Sequence, residues 1–409
     1  MGSYHRSNMR PPTYSSAFRS GISFLTLATL AGAVATTGLA CAAGGTTDGQ
    51  GFGSPGATNP GTDPAKEENV APHALGTILL GESHTSQAQS APIISATFVP
   101  DAADVTTPHC GTKVGTCEVT KAPVCKTGTA TGCTSGETCQ MDASCTAKCV
   151  AVPVCTTACG ADEECYATGT GTTSATKFAC RKKVAFDAGV LAFAGITSSM
   201  TLFPPYTVKP TGNGAPFLAK SEIRVQASGA STAGFSEFDE KFTATTFLET
   251  TPSLSKISKT LVFGSGALPI GWTPGTDQIT ITASGIGASA VCTAEDATGK
   301  FEIPREVLDE VTTSTTSTSS SGLTISVTRK RVENRRNKPL KANVDGKEIA
   351  TGWLDLVTMS TESASFQACA SGQTLCNDVC VSLQSSSTNC GACGNVCPSS
   401  YYCSYGSCQ

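Results

Sequence analysis

From about residue 184 onward, apolar and polar positions alternate in short runs: GVLAFAG, SEIRVQAS, KTLVFGSG, DQITITAS, SAVCTAE and GLTISVTRKR. In SEIRVQA, Ile223 and Val225 fall on one side and Glu222 and Arg224 on the other, the period of a strand buried on one face. Gly, Pro and Thr clusters separate these runs at short intervals, so the pattern predicts an antiparallel β-sandwich. ALGTILLGES and PIISATFVP, further upstream, read as strands of the same sheet system. One short helix is expected, with Pro304 at its first turn followed by REVLDEV. TTSTTSTSSSG at 312–322 is a low-complexity loop.

The amino-terminal end follows a different pattern. Residues 1–20 are basic and polar, residues 21–40 (GISFLTLATLAGAVATTGLA) are apolar, and Cys41 opens a Gly/Thr/Pro tract. That order predicts a secretion signal over 1–40 with Cys41 as a lipid anchor. Gly38 and Ala40 also suit ordinary signal cleavage, and a retained membrane anchor of about 20 residues is the competing reading. The stretch 41–72 lacks any apolar periodicity and is expected to be a tether.

Composition sharpens this picture. Charged residues make up 15% of the 409-residue chain and aromatics 6%, a balance that favours strands and loops over helices. Removing Arg6, Arg10 and Arg19 with the signal leaves 25 cations against 32 acids, which excludes a general nucleic-acid binder.

Twenty cysteines follow Cys41. Eleven form a first block: Cys110, Cys117, Cys125, Cys133, Cys139, Cys145, Cys149, Cys155, Cys159, Cys165 and Cys180. Cys292 stands alone, and Cys369, Cys376, Cys380, Cys390, Cys393, Cys397, Cys403 and Cys408 form a second block. With Cys41 lipidated the remaining number is even, and an odd first block demands a bridge from it into the domain around Cys292. A spacing of three then five residues recurs at Cys145–Cys155, Cys155–Cys165 and Cys393–Cys403. Zinc is the rival for the Cys390-Gly-Ala-Cys393 pair, but an exported chain meets an oxidising compartment, where thiols pair.

Leu375-Cys376-Asn377, Cys380-Val381, Asn389-Cys390-Gly391-Ala392-Cys393-Gly394 and the closing Gly406-Ser407-Cys408 resemble the Cys-rich module repeated in secreted and surface proteins of myxobacteria and their relatives. That resemblance implies a stable extracellular appendage without catalysis. Residues 74–110 and 184–360 resemble, more distantly, the body of uncharacterised lipoproteins of the same bacteria.

Catalytic patterns are sparse. Of the four histidines, His5, His73, His84 and His109, none lies beyond residue 109. A triad or zinc site would have to draw on the strand region before the first cysteine block. No nucleophile elbow, P-loop, metalloprotease helix or dinucleotide fingerprint is present, so no cofactor is expected. Ser253-Leu-Ser-Lys256 and Lys126-Thr-Gly128 mimic β-lactamase motifs in reversed order and without their third partner.

Arg329, Lys330, Arg331, Arg335, Arg336, Lys338 and Lys341 form the sharpest charge feature of an otherwise acidic chain. It suits an envelope polyanion or acidic glycan, with Arg335 and Arg336 as contacts; the simpler role is a solvated strand end and hairpin. Tyr401, Tyr402 and Tyr405 suit stacking on sugars; the simpler role is to shield disulfides in a module without another core.

The expected organisation is a β-sandwich body over 73–109 and 184–365, a disulfide-rich insertion over 110–183 and a Cys-rich module over 366–409. The function expected is that of a lipid-anchored, non-enzymatic binding or surface-structural protein at the outer membrane or cell surface, or else periplasmic or secreted. Its expected partners are the membrane, through the lipid, and a polysaccharide or other envelope polyanion. The alternatives are an exported hydrolase using two facing carboxylates, one with a raised pKa, and a purely structural envelope component.

Overall fold

A computed structural model describes residues 74–85, 90–98 and most of 110–409, apart from 128–129, 136, 143, 152–158, 161–162, 168–177, 183–185, 207–212, 232, 313–321 and 345–346. The signal, Cys41, the tether, His5, His73, His109 and Cys155 lie outside the described residues, as does most of the 312–322 loop.

The chain is mainly β. Its main strands are β1 (Ala74–His84), β2 (Ser90–Phe98), β3 (Thr112–Val114), β4 (Cys117–Lys121), β5 (Leu191–Ala194), β6 (Met200–Leu202), β7 (Glu222–Ala227), β8 (Ala233–Phe235), β9 (Phe238–Thr243), β10 (Gln278–Ser284), β11 (Ala288–Glu295), β12 (Gly322–Asn334), β13 (Leu340–Val344) and β14 (Lys347–Gln367). A ten-stranded sheet runs β8-β13-β14-β12-β10-β11-β4-β3, with β1 and β2 joined to it through β14. Its pairings are antiparallel except β1 with β14, which run parallel from Ala74↔Trp353 to His84↔Glu362. A second sheet, β6-β5-β7-β9, is antiparallel throughout.

The strand β14 explains how one sheet serves two cores. Its residues 354, 356, 358, 360, 362, 364 and 366 share a face, because side chains alternate along a strand. Leu354 and Leu356 join Ile78, Leu80, Phe98, Leu191, Ile223 and Val225 in the core between the two sheets. Ala364 and Phe366 join a second core with Ile279, Ile281, Leu323, Ile325, Leu254 and Trp272. Between them Thr358, Ser360 and Glu362 are buried polar residues. On the opposite face, hydroxyl pairs cross from β12 to β14: Thr324 with Ser365 at 3.0 Å, Ser326 with Ser363 at 2.8 Å and Thr328 with Thr361 at 2.9 Å. Such cross-strand pairs each contribute a few tenths of a kcal/mol, up to about 1.

The helix expected after Pro304 spans Arg305–Thr312 and closes the second core with Val307, Leu308 and Val311. KTLVFGSG is not a strand: Lys259–Val262 forms a single helical turn, α1, because the Ser258 side chain accepts from the Thr260 N–H and caps it. The longest strand, β14, is absent from the alternating runs read along the sequence, since its polar middle breaks the hydrophobic pattern.

Nine disulfides link described residues. Cys117 bonds Cys292, the bridge that an odd first block requires, and the two residues also pair across β4 and β11. The strands β3 and β4 of the first block thus belong to the large sheet. Beyond them Cys110–Cys145, Cys125–Cys139, Cys133–Cys149 and Cys159–Cys180 tie the short hairpins of that block. In the carboxy-terminal module the bridges are Cys369–Cys380, Cys376–Cys393, Cys390–Cys403 and Cys397–Cys408. The recurring spacing is wired in two ways: Cys145 and Cys149 both bond backward along the chain, whereas Cys397, next after Cys393, bonds forward.

Candidate functional site

The parallel register of β1 and β14 brings three ionisable residues together in the polar interval between the cores. Glu82 lies opposite Ser360 and His84 opposite Glu362. His84 Nδ1 is 3.0 Å from Glu82 Oε2, and His84 Nε2 is 3.7 Å from Glu362 Oε2. All three side chains are at least nine-tenths buried. Hydrogen bonding to Glu362 and then to Glu82 raises the imidazole pKa to about 9, so it is a cation at neutral pH.

Glu362 is held by the crossing segment 245–254. Its Oε2 accepts from the Thr250 N–H at 3.1 Å and hydroxyl at 2.6 Å; its Oε1 accepts from the Ser253 hydroxyl at 2.6 Å and the Leu254 N–H at 2.8 Å. Burial raises its pKa, but the bonds from His84, Ser253, Thr250 and Leu254 outweigh it and bring the group down to about 2. The same segment donates its Thr245 N–H to Thr358 Oγ1 and its Leu248 N–H to Ser360 Oγ, both at 2.9 Å. Thr358, Ser360 and Glu362 thus supply acceptors to a backbone stretch that otherwise pairs through the isolated bridge of Thr250 with Trp272, as buried N–H groups require.

This arrangement does not match a paired-carboxylate hydrolase, which holds one carboxyl protonated near neutral pH. Glu362 is shifted in the opposite direction. Ser253 donates its hydroxyl to Glu362 at 2.6 Å, and the Lys256 N–H donates to the Ser253 carbonyl at 2.8 Å, so in the β-lactamase-like motif the serine hydroxyl is engaged by a carboxylate. The geometry fits a buried latch that fixes the 245–254 segment across the sheet.

The basic stretch is drawn into ion pairs. Arg329 is buried, with Nη2 2.8 Å from Asp296 Oδ1 and Nη1 2.8 Å from the Phe247 carbonyl. Gly275 allows this pair to form, since a Cβ there would collide with the Asp296 carboxylate. Arg331 pairs with Asp277 at 2.7 Å, Arg335 with Glu240 at 2.8 Å, Lys338 with Glu240 at 2.9 Å and Lys341 with Glu348 at 2.8 Å. Arg336 lies over the Trp353 ring, 4.6 Å from its centroid. Arg335 and Lys338 line an open depression of about 420 Å³ together with Arg224, Asp239, Glu240 and Lys241, so acids and bases alternate around it.

The carboxy-terminal module is built on sulfur. Cys390, Cys397 and Cys403 form its core, with Cys408 packed against them. Gly391 permits the Gly406 carbonyl to approach, as a Cβ would lie 2.5 Å from it. The module docks on the body through Asp378, whose Oδ1 accepts from the Ser258 hydroxyl at 2.7 Å, the Thr260 N–H at 2.9 Å and the Thr260 hydroxyl at 3.0 Å. These donors hold the Asp378 carboxyl below its ordinary range. Tyr401, Tyr402 and Tyr405 are 56%, 63% and 88% exposed, so much of each ring faces solvent.

The spacing of the histidines pointed to the β1 region, and His84 is there. Its partner Glu362 lies 278 residues away in a strand whose alternation is broken, so no local signal joined the two. Asp378 and Asp296 likewise carried no sequence signal.

No curated protein and no solved structure matches the chain. Residues 354–409 match the model of the Stigma-specific STIG1-like protein family. This overturns the resemblance to the myxobacterial Cys-rich module, and the body finds no relative to support the likeness to lipoproteins of those bacteria. Short loops between bridged cysteines demand residues that tolerate left-handed backbone, here Asn377, Asp378, Gly391, Gly394 and Gly406. Similar Asn, Gly and Cys strings therefore arise in different disulfide modules. The nine bridges and the family match over 354–409 are consistent with an exported protein.

Proposed function

We propose that the protein is an exported, lipid-anchored component of the cell envelope that acts in binding rather than catalysis, with Cys41 as the anchor and the carboxy-terminal module as its outward binding surface. The observation that supports this reading most directly is the disulfide network. A sheet stapled internally by Cys117–Cys292 and a module whose core is sulfur are suited to an oxidising, protease-rich exterior. The pairing of the basic stretch with acids of the same chain speaks against polyanion capture at Arg335 and Arg336, and exposed aromatic rings favour a binding role over a purely structural one.

Intact mass of the purified native protein, before and after reduction, tests the reading. The expected result is an acyl group on an amino-terminal Cys41, all twenty remaining cysteines oxidised, and partition into the detergent phase. An unmodified Cys41, or more than one free thiol, would overturn it.

A further inference from the structure

The STIG1-like module displays more aromatic surface than its frame requires. Tyr402 and Gln409 close the terminal hairpin with reciprocal backbone bonds of 2.9 Å. Alternation along that hairpin places Tyr402 with Ser404, Ser407 and Gln409, opposite the buried sulfur of Cys403. Tyr405 occupies the tip at φ +48°, followed by Gly406 at φ +78°. These are the central positions of a hairpin turn that Asn and Gly fill without strain. A tyrosine held there, 88% exposed, gains nothing from packing within the module.

The electrostatics of this surface are equally specific. Residues 369–409 contain no Lys, Arg, His or Glu, and their single Asp, Asp378, is engaged with Ser258 and Thr260. The side chains that share the hairpin face with Tyr402, those of Ser404, Ser407 and Gln409, carry hydroxyls and an amide. A polyanion is gripped by cations, and a basic peptide by carboxylates. Neither is available here. Flat ring faces beside neutral donors and acceptors complement the C–H faces and hydroxyls of pyranose units, and four bridges fix the backbone that carries the rings, so little backbone ordering entropy is lost on contact.

We infer that the tyrosine end of the module binds an uncharged polysaccharide, with Tyr402 and Tyr405 as stacking platforms. This deepens the binding role proposed above and rests on it. The proposal concerns purified protein, so it stands or falls separately from lipidation and export.

Affinity electrophoresis of the full mature protein through gels containing soluble 1,3-β-glucan, mannan or polygalacturonate tests it. At least one of the two neutral polymers should retard the wild type, equally at 50 and 500 mM salt. Tyr402→Ala/Tyr405→Ala should weaken that retardation at least tenfold, Tyr405→Phe should keep it, and Arg335→Gln should leave it unchanged. Mass before and after reduction should show the wild-type number of bridges in each variant. Retardation by polygalacturonate alone, or by neither neutral polymer, would overturn the inference. So would equal retardation of the double alanine variant. Sedimentation supplies a last arm: a wild-type dimer that the alanine variant abolishes, without glycan binding, would assign the rings to self-association instead.

Discussion

His84 and Glu362 stand side by side on parallel strands, with Nε2 3.7 Å from Oε2 in a buried interval between two hydrophobic cores. Glu82 completes the set from the other side of the ring at 3.0 Å. The cluster holds the 245–254 segment across the sheet, so its ionisation bears on the whole body.

The sign of its pH dependence follows from the two shifts. His84 titrates near pH 9 in the folded protein against 6.5 ordinarily, so its stabilisation is complete below about pH 6.5 and is lost as pH rises through 9. Glu362 titrates near 2 against 4.5, so its stabilisation is present above about pH 4.5 and is lost as pH falls through 2. Guanidinium unfolding under oxidising conditions should give a plateau between pH 5 and 6.5, then a decline of about 3 kcal/mol by pH 9.5. The His84→Gln variant should be less stable at pH 6 and lack that decline; the same decline in wild type and variant would contradict the assignment.

Cys117 and Cys292 close a loop with a sequence separation of 175, the longest of the nine. Under a chain-entropy account, such a bridge stabilises by about 3–5 kcal/mol through the unfolded state. Replacing both with Ala should lower the melting temperature accordingly, with the other bridges unchanged by mass. A melting temperature within 2 °C of wild type would show that β4 is held by its ladder and packing alone.

Asp378 joins module to body through three bonds to Ser258 and Thr260. Asp378→Ala should raise amide exchange at Thr260 at least tenfold while leaving the four module bridges intact. Unchanged exchange would mean that the α1 cap at Ser258 suffices by itself.

Particular elements show how much of this was legible beforehand. The runs around Ile223 and Val225, Ile279 and Ile281, and Ile325 and Val327 alternate cleanly, because each strand buries one face against a core and leaves the other polar. They appear as strands in the structure. The segment Lys259–Val262 has the same apolar content, but the Ser258 hydroxyl and the Asp378 carboxylate both accept from its Thr260 N–H and cap it as a helix, a choice made by capping rather than by periodicity. The strand β14 escaped notice for the reverse reason: its inward positions change from Leu356 to Thr358, Ser360 and Glu362, which are satisfied by partners far off in sequence. The basic stretch was visible as charge, but its acids, Glu240, Asp277 and Asp296, arrive from other strands.

Sequence alone determined the β class of this protein, because strand periodicity is a local property of the chain. It also predicted, on full pairing of the cysteines after Cys41, a bridge from the first block to Cys292, because an odd number of thiols cannot all pair internally. Tertiary structure decided that one sheet carries two cores with an ionised latch between them, that the cations are already matched by acids, and that the tyrosines face solvent. Each of these depends on which residues meet across tens or hundreds of positions, and pair contacts at that range are set by strand order and register, which no local pattern encodes.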